Sequence, residues 1–488
     1  MFIIAFEIPF TNIELIQLFG VLATFVYLLG IFSAIHAVMT VRTAQGTIAW
    51  AISLLTFPWV TLPLYWIFGR SKFEGYVNAR RKGETKINHL VTDLAQSIPA
   101  FQSKLSGEAS RFIPFERLAR MPFTGGNYAK LLIDGQATFD AIFREIDGAT
   151  DYILIEFFIV HNDQLGKELK ERLIRKAKEK VRIYFLYDEV GSHKLPKSYI
   201  QELTTAGVDI RPFTTTRGGW KNRLQLNFRN HRKIVVVDGQ AAFMGGLNVG
   251  DEYMGRDPNM GNWRDTHVKI IGPAVQCTQL AFIEDWFWAS EELPKLNWEM
   301  EPSDISNMNG LILPTGPADR METCGLFFVH AIHSAKKRLW ITSPYFVPDS
   351  TVIAALQLAA VRGVDVRVML PQKPDHLLVY LTSYVFLEKM DPVGVKIYRY
   401  HKGFMHQKVM LVDDDLAVVG TANLDNRSFR LNFEIAAIFS DRDFAAALAE
   451  MLEKDFSHSQ QIDADELCQR PFWFRLAVRL SSLMSPIQ

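Results

Sequence analysis

The chain has little cysteine and no surplus of charge of either sign. Its three cysteines, Cys277, Cys324 and Cys468, are odd in number and far apart among 488 residues. That excludes a disulfide framework and a metal knuckle, and leaves buried or incidental thiols. Lysine plus arginine number 53, as do aspartate plus glutamate. Overall charge therefore says nothing about nucleic acid. A nuclease would predict a strongly basic groove and no membrane hairpin, and the composition offers neither clearly, so no nucleic-acid partner is expected. The opening MFIIAFEIPF lacks the basic segment of a cleaved leader. Two stretches, residues 15–41 and 47–69, contain no Asp, Glu, Lys or Arg at all.

Each charge-free run is long enough to cross a bilayer, which takes about 20 apolar residues. The second carries Trp50, Trp59, Tyr65 and Trp66, types favoured at membrane interfaces, and should be kinked by Pro58 and Pro63. Two buried core helices would show the same composition. Their pairing at one end of an otherwise mixed chain favours a two-helix transmembrane hairpin. Arg70, Lys72, Arg80, Arg81 and Lys82 follow the second run, whereas Arg42 stands alone between the two. The positive-inside bias then puts the body on the cytoplasmic side, and the basic run would be drawn to anionic headgroups.

What the chain does have is a stretch that occurs twice. Residues 229–253 read RNHRKIVVVDGQAAFMGGLNVGDEY, and residues 404–428 read FMHQKVMLVDDDLAVVGTANLDNRS. Both contain His-x-Lys-x4-Asp, as His231, Lys233, Asp238 and as His406, Lys408, Asp413, and both continue to a Gly-x-x-Asn ending at Asn248 and Asn423. Each copy reads as a β-hairpin, with the His and Lys on one face by period two. The Asp lies an odd seven residues after its His, so it should order the turn or a neighbour instead of touching that imidazole. Two ordinary core hairpins are the bland alternative, but a matched pair argues for a duplicated half-site.

A histidine beside a fixed ammonium and an amide suits a phosphodiester. Lys233, Lys408, Asn248 and Asn423 can hold non-bridging oxygens where charge develops. One imidazole attacks phosphorus, and the other protonates the leaving oxygen and then deprotonates the incoming hydroxyl. That chemistry needs two imidazoles on opposite sides of one phosphorus, which a duplication supplies. A lysine two residues after each histidine would repel a dication, so no metal is expected.

The repeated motif resembles the phospholipase D superfamily, and within it the membrane-anchored bacterial cardiolipin synthases. The likeness runs nearly end to end and includes WRDTHV (263–268) and SPYFVPD (343–349). It implies an α/β fold of two tandem phospholipase D-like α/β/α domains, with mixed sheets related by a pseudo-two-fold, behind the membrane hairpin. It also implies a phosphohistidine mechanism without metal or other cofactor. The implied reaction moves a phosphatidyl group from one phosphatidylglycerol to another and releases glycerol, His231 being the nucleophile. The implied site is the bacterial inner membrane, multi-pass, with phosphatidylglycerol and anionic lipids as partners. A hydrolase using water, or a synthase of another phospholipid, would carry the same motifs. In the superfamily an acid downstream orients each histidine. Glu434 is expected to serve His406, and Asp265 of WRD to serve His231.

The rest of the chain fits a body of two α/β layers. The order helix, strand YILIEFFIV, helix, strand VRIYFLYD recurs as helix, RLWITSPYF, helix, VDVRVMLP. The expected divisions are a two-span hairpin at 1–69, a basic connector at 70–110, domains at 111–310 and 311–460, and a basic amphipathic tail at 461–488. That tail is expected at a lipid interface, the alternative being packing on the body. Glu156, mid-strand among apolar neighbours, should meet a cation of the site such as a lysine, or else make a structural hydrogen bond. Arg223 and Arg229 could line a phosphate route. Tyr345 reads as packing and Trp286 and Trp288 as core, while His161, His376 and His401 receive no role.

Overall fold

A computed structural model describes residues 12–41, 43–69, 73, 75–77, 98–214, 227–258, 260–462 and 466–488. Arg42, Arg70, Lys72, Arg80, Arg81, Lys82 and Arg223, on which orientation and a phosphate route were argued, lie outside these residues, as does most of the connector. Two compact units are present, Met1–Phe73 with Gly218–Asn227, and Glu74–Arg217 with Phe228–Gln488.

In the first unit α1 spans Asn12–Thr40, α2 Ala44–Thr56 and α3 Pro58–Phe68. The second apolar run, expected as one kinked span, is thus two short helices. The break falls at Phe57, and Pro58 starts α3, where its missing N–H costs nothing. Pro63 sits inside α3 without ending it. Among the described residues only one helix, Ile16–Thr40, has the length and hydropathy to cross a membrane. Phe19, Phe25, Leu28, Ile35 and Met39 stand exposed on α1, a surface that water does not favour. Where α1 meets α2 the backbones nearly touch: a Cβ on Gly30 would lie 2.6 Å from the Leu54 carbonyl oxygen. His36 Nδ1 to Tyr65 Oη (2.6 Å) and Trp66 Nε1 to Ser33 Oγ (3.2 Å) tie α3 back to α1.

The second unit is built on one mixed sheet that contains the same arrangement twice. In the first half, Tyr152–Phe157 pairs in parallel with Arg182–Asp188, which pairs in parallel with Asp209–Phe213. On its other side Tyr152–Phe157 runs antiparallel to Ile234–Val237, followed by Ala241–Gly245, Thr266–Ile271 and Thr124–Ile133. The second half repeats this with Arg338–Thr342, Asp365–Pro371 and Lys396–Tyr400, then Val409–Val412, Leu416–Gly420, Asn432–Ser440 and Met308–Thr315. Thr124–Ile133 and Met308–Thr315 pair antiparallel at the centre and join the halves. Each half has its own core, with Phe139, Leu169, Phe185 and Phe243 in one and Phe327, Ile341, Leu356 and Val368 in the other. Trp286 and Trp288 are buried, as expected, and so are Cys277 and Cys324.

The motif aspartates do what an odd offset predicts. Asp238 and Asp413 both take the left-handed conformation, φ 52°, at the hairpin turn, which short polar side chains tolerate. Asp238 accepts the backbone N–H groups of Thr150, Asp151 and Tyr152 at 2.8–2.9 Å. Asp413 accepts those of Lys336, Lys337 and Arg338 at 2.7–3.1 Å, and a guanidinium N–H of Arg111 at 3.0 Å. Each carboxylate thus caps the start of the strand beside its own hairpin. Asp413→Ala would orphan several part-buried donors, each worth about 1 kcal/mol or more. A loss of roughly 2–3 kcal/mol is expected, read as a lower melting temperature of the purified protein, with the histidines untouched.

Candidate active site

The histidines do not sit within the hairpin strands. His231 and His406 fall just before Ile234–Val237 and Val409–Val412, where the chain crosses from one half to the other. Arg229–Asn230 adds a short parallel strand to Asn432–Phe433, and the His231 N–H bonds the Phe433 carbonyl at 2.9 Å. In the same way Phe404–Met405 pairs with Trp263–Arg264, and the His406 N–H bonds the Arg264 carbonyl at 2.8 Å. Each histidine is therefore carried to the strand of the opposite half.

The acids are consequently exchanged relative to expectation. His231 Nδ1 lies 2.9 and 3.1 Å from the carboxylate of Glu434, and His406 Nδ1 lies 2.9 Å from Asp265 Oδ2. Asp265 and Glu434 occupy equivalent places. Gly245 pairs with His267, and Gly420 with Ala436, so two residues earlier stand Asp265 and Glu434. The spacing differs: His231 and Asp265 stand 34 residues apart, whereas His406 and Glu434 stand 28 apart. A loop six residues longer in the first half hides the match. The local packing differs too. Thr421 donates to Glu434 at 2.6 Å, while Gly246 at the corresponding place leaves room for Asp265, whose Oδ1 would lie 2.0 Å from a Cβ there.

The electrostatics favour neutral imidazoles held in one tautomer. Burial pulls the His231 pKa down most, against the pull of Glu434 and with help from Lys233 and Lys408, to about 4. His406 is lowered likewise to about 4, by burial and then by Lys408, against Asp265. Burial opposes ionisation of Glu434, but His231, Lys233 and Thr421 outweigh it and hold the carboxylate at about 2. Asp265 is also lowered, with Lys408 and His406 overcoming burial. A charged carboxylate only accepts, so each Nδ1 carries the proton and each Nε2 presents a lone pair. Burial lowers Lys233 to about 7 and Lys408 to about 8. Lys408 acts on both His231 and Lys233, so the two motifs share one electrostatic site.

The halves differ in detail. Lys233 Nζ donates to the His231 carbonyl at 2.6 Å. Lys408 donates to the His406 carbonyl and also lies 2.8 and 3.0 Å from the two ring nitrogens. Asn248 is held by Ile159 N–H (3.1 Å) and Tyr253 Oη (3.0 Å). Asn423 Oδ1 is buried without a hydrogen bond among the described residues.

Among the described residues Glu156 meets no lysine. Its carboxyl takes the Asn230 amide and lies against Asp285, which is ion-paired to Arg232 at 2.8 Å. Burial and Asp285 push its pKa well up, and it belongs to a buried polar cluster with Asn230, Asp285 and Arg232. Arg229 is half-buried, with its pKa lowered by burial. Arg427, which no motif singled out, is lowered by burial and then by Arg229. His161 pairs with Glu252 at 3.2 Å, His376 is an exposed helix N-cap, and the His401 N–H bonds the His458 carbonyl.

Comparison with known proteins agrees with this duplication. The family model described as "Cardiolipin synthase, PLD-like domain" matches residues 142–272 and again 328–456, and one for a phospholipase D-nuclease N-terminal segment matches 28–70. Cardiolipin synthase A of Pseudomonas putida F1 is 51% identical, covering 96% of this chain and 98% of the relative. That of Pseudomonas syringae pv. syringae is 50% identical with the same coverage. Among solved structures, phosphatidylserine synthase of Haemophilus influenzae superposes with a TM-score of 0.60 at 16% identity, covering 78% of this chain and all of that one, a likeness of fold. With both family domains and near-complete relatives in agreement, the chain belongs to the cardiolipin synthase family of the phospholipase D superfamily.

Proposed function

We propose that the chain transfers a phosphatidyl group from one phosphatidylglycerol to another and releases glycerol. The observation that carries this reading is the pair of buried histidines, each bonded through Nδ1 to an acid of the opposite half, with a lysine of its own motif beside each. His231 Nε2 attacks phosphorus and the bond to the glycerol oxygen breaks. His406 gives that oxygen a proton. The arriving phosphate anion, beside Lys233 and Lys408, favours the protonated imidazole that this step needs. The second lipid's glycerol hydroxyl then attacks phosphorus, His406 takes its proton, and the bond to His231 breaks. His231 is the nucleophile because its Nε2 makes no hydrogen bond among the described residues, whereas Lys408 crowds the ring of His406.

Lipid substrates and a membrane site fit the apolar helix Ile16–Thr40. They also fit the C-terminal helix Phe472–Ser482. Phe474 and Val478 pack it on Leu377–Leu387, while Phe472, Trp473 and Leu480 stay exposed, which suits a lipid interface.

The test uses purified full-length protein in vesicles with labelled phosphatidylglycerol. Cardiolipin and glycerol should appear in equal amounts and survive a chelator. Phosphatidic acid as the main product would make the chain a hydrolase. In the same assay kcat/KM should not fall as pH drops through 6.5, where an ordinary imidazole nucleophile would protonate, but only towards 4, where His231 does. It should decline above about 7–8 as Lys233 and Lys408 lose their protons. An acid limb near 6.5 would show that the carboxylate offsets burial and that the attacking imidazole is not depressed.

A further inference from the structure

Arg399 is out of keeping with its surroundings. It is 2% exposed, yet its Nε and Nη2 make no hydrogen bond among the described residues. Nη1 reaches only the Pro371 carbonyl, at 3.4 Å. Glu466 Oε2 stands 4.0 Å from Nε and is itself unbonded, while its Oε1 is taken by Tyr384 and Arg470. The guanidinium is held between Tyr380 and Tyr384, 5.0 and 5.2 Å from the ring centroids. A buried arginine with idle donors is costly unless something arrives to take them.

Arg399 lines a shallow hollow, open to solvent, with Tyr345, Asp375, His376, Tyr380 and Ser383. One wall is the first turn of helix Leu377–Leu387, whose N-cap residue His376 supplies no side-chain cap. A helix start and an idle guanidinium both favour an anion. The hollow also holds the opposite chemistry. Asp375 accepts the Tyr345 hydroxyl at 2.5 Å and acts electrostatically on His406 and Lys408, so it lies on the side of the catalytic histidine proposed to handle the alcohol.

The feature is not part of the duplication. Across the two-fold, Tyr187 pairs with Pro212 where Leu370 pairs with Arg399. A proline stands in the first half where the arginine stands in the second. Donor and acceptor lipids are chemically alike but play different parts, so a site for one of them must be one-sided.

We propose that this hollow binds the headgroup of the acceptor lipid, with Arg399 on its phosphate and Asp375 on a glycerol hydroxyl. The inference rests on the phosphatidyl-transfer reading above. It explains how a second lipid is preferred to water: the hydroxyl is delivered beside His406 by a phosphate clamp that water cannot use.

Two reactions of the full-length protein in phosphatidylglycerol vesicles separate the roles. Cardiolipin formation needs the acceptor's phosphate. Exchange of labelled free glycerol into phosphatidylglycerol passes through the same phosphatidyl-enzyme and does not. Arg399→Gln should cut cardiolipin formation about tenfold or more, the worth of a charge-assisted hydrogen bond, and raise the half-saturating acceptor level. Exchange should stay within about twofold, and Arg399→Lys should recover part of the loss. Equal losses in both reactions would make Arg399 a prop of the fold, and no loss in either would empty the hollow of any role; both outcomes overturn the proposal. Inorganic phosphate separates the two sources of the anion. If it inhibits the wild type but not Arg399→Gln, while acceptor half-saturation is the same in both, the site takes free phosphate and the proposal falls. A wild type that neither transfers nor exchanges sinks the transfer reading itself, and this proposal with it.

Discussion

His231→Ala should lower cardiolipin formation by at least about 10⁴-fold, because it removes the atom that bonds phosphorus. His406→Ala should cost about 10²–10⁴-fold, the range of a lost general acid–base. The two losses differ in kind, and a lipid with a p-nitrophenol leaving group exposes the difference. That group departs without a proton. His406→Ala should therefore still release one equivalent of nitrophenol and then stall, because nothing deprotonates the acceptor. The stalled protein should carry a phosphatidyl group on His231, seen as an added mass on a peptide containing that residue. His231→Ala should give neither burst nor adduct. If instead the adduct forms in His231→Ala, on His406, the roles are reversed.

The acids should sort by the histidine that they touch. Glu434→Gln is isosteric and keeps one oxygen, enough for Thr421 or Ser428, which donate to the two different oxygens of Glu434 at 2.6 and 2.8 Å. It removes the charge that holds Nδ1–H of His231 in place, a loss of about 10³–10⁴-fold by analogy with a histidine deprived of its orienting carboxylate. With the p-nitrophenol lipid, Glu434→Gln should slow the burst itself. Asp265→Asn, beside His406, should leave the burst fast and slow the turnover that follows. Pairing of each acid with the histidine nearest before it in the chain would give the opposite pattern. The comparison therefore tests the crossing as well as the roles.

The crossing is the part of the site that could not be read along the chain. The motif residues were legible because they repeat: His231 and His406 stand 175 residues apart, as do Asn248 and Asn423. The turn role of Asp238 and Asp413 followed from the odd offset. Glu434 and Asp265 were legible as candidates but not as partners. Which acid meets which imidazole depends on how the two halves dock, and a loop of unequal length blurred the alignment. The second apolar run misled for a local reason, since a proline at Pro58 can start a helix as readily as kink one. Glu156 was read as meeting a cation or making a structural hydrogen bond, and the buried cluster of Asn230, Asp285 and Arg232 settled it, because these come from separate segments that periodicity does not connect. Arg399 had no motif at all. Only its burial without partners marks it.

The way the halves are joined bears on how the protein moves. Among the described residues three strand pairings cross the boundary, Thr124–Asn127 with Met308–Gly310, Arg229–Asn230 with Asn432–Phe433, and Trp263–Arg264 with Phe404–Met405. Many two-domain enzymes close on substrate by swinging about a few loop residues. Here such a swing would tear ladder hydrogen bonds on both sides of the histidines, so the second unit is a beam without a joint. In the proposed transfer, what travels during a turnover is then the lipid: each phosphorus enters between the two half-sites, and a four-chain product backs out. Pace would be governed by traffic at the mouth more than by any flexing of the machine.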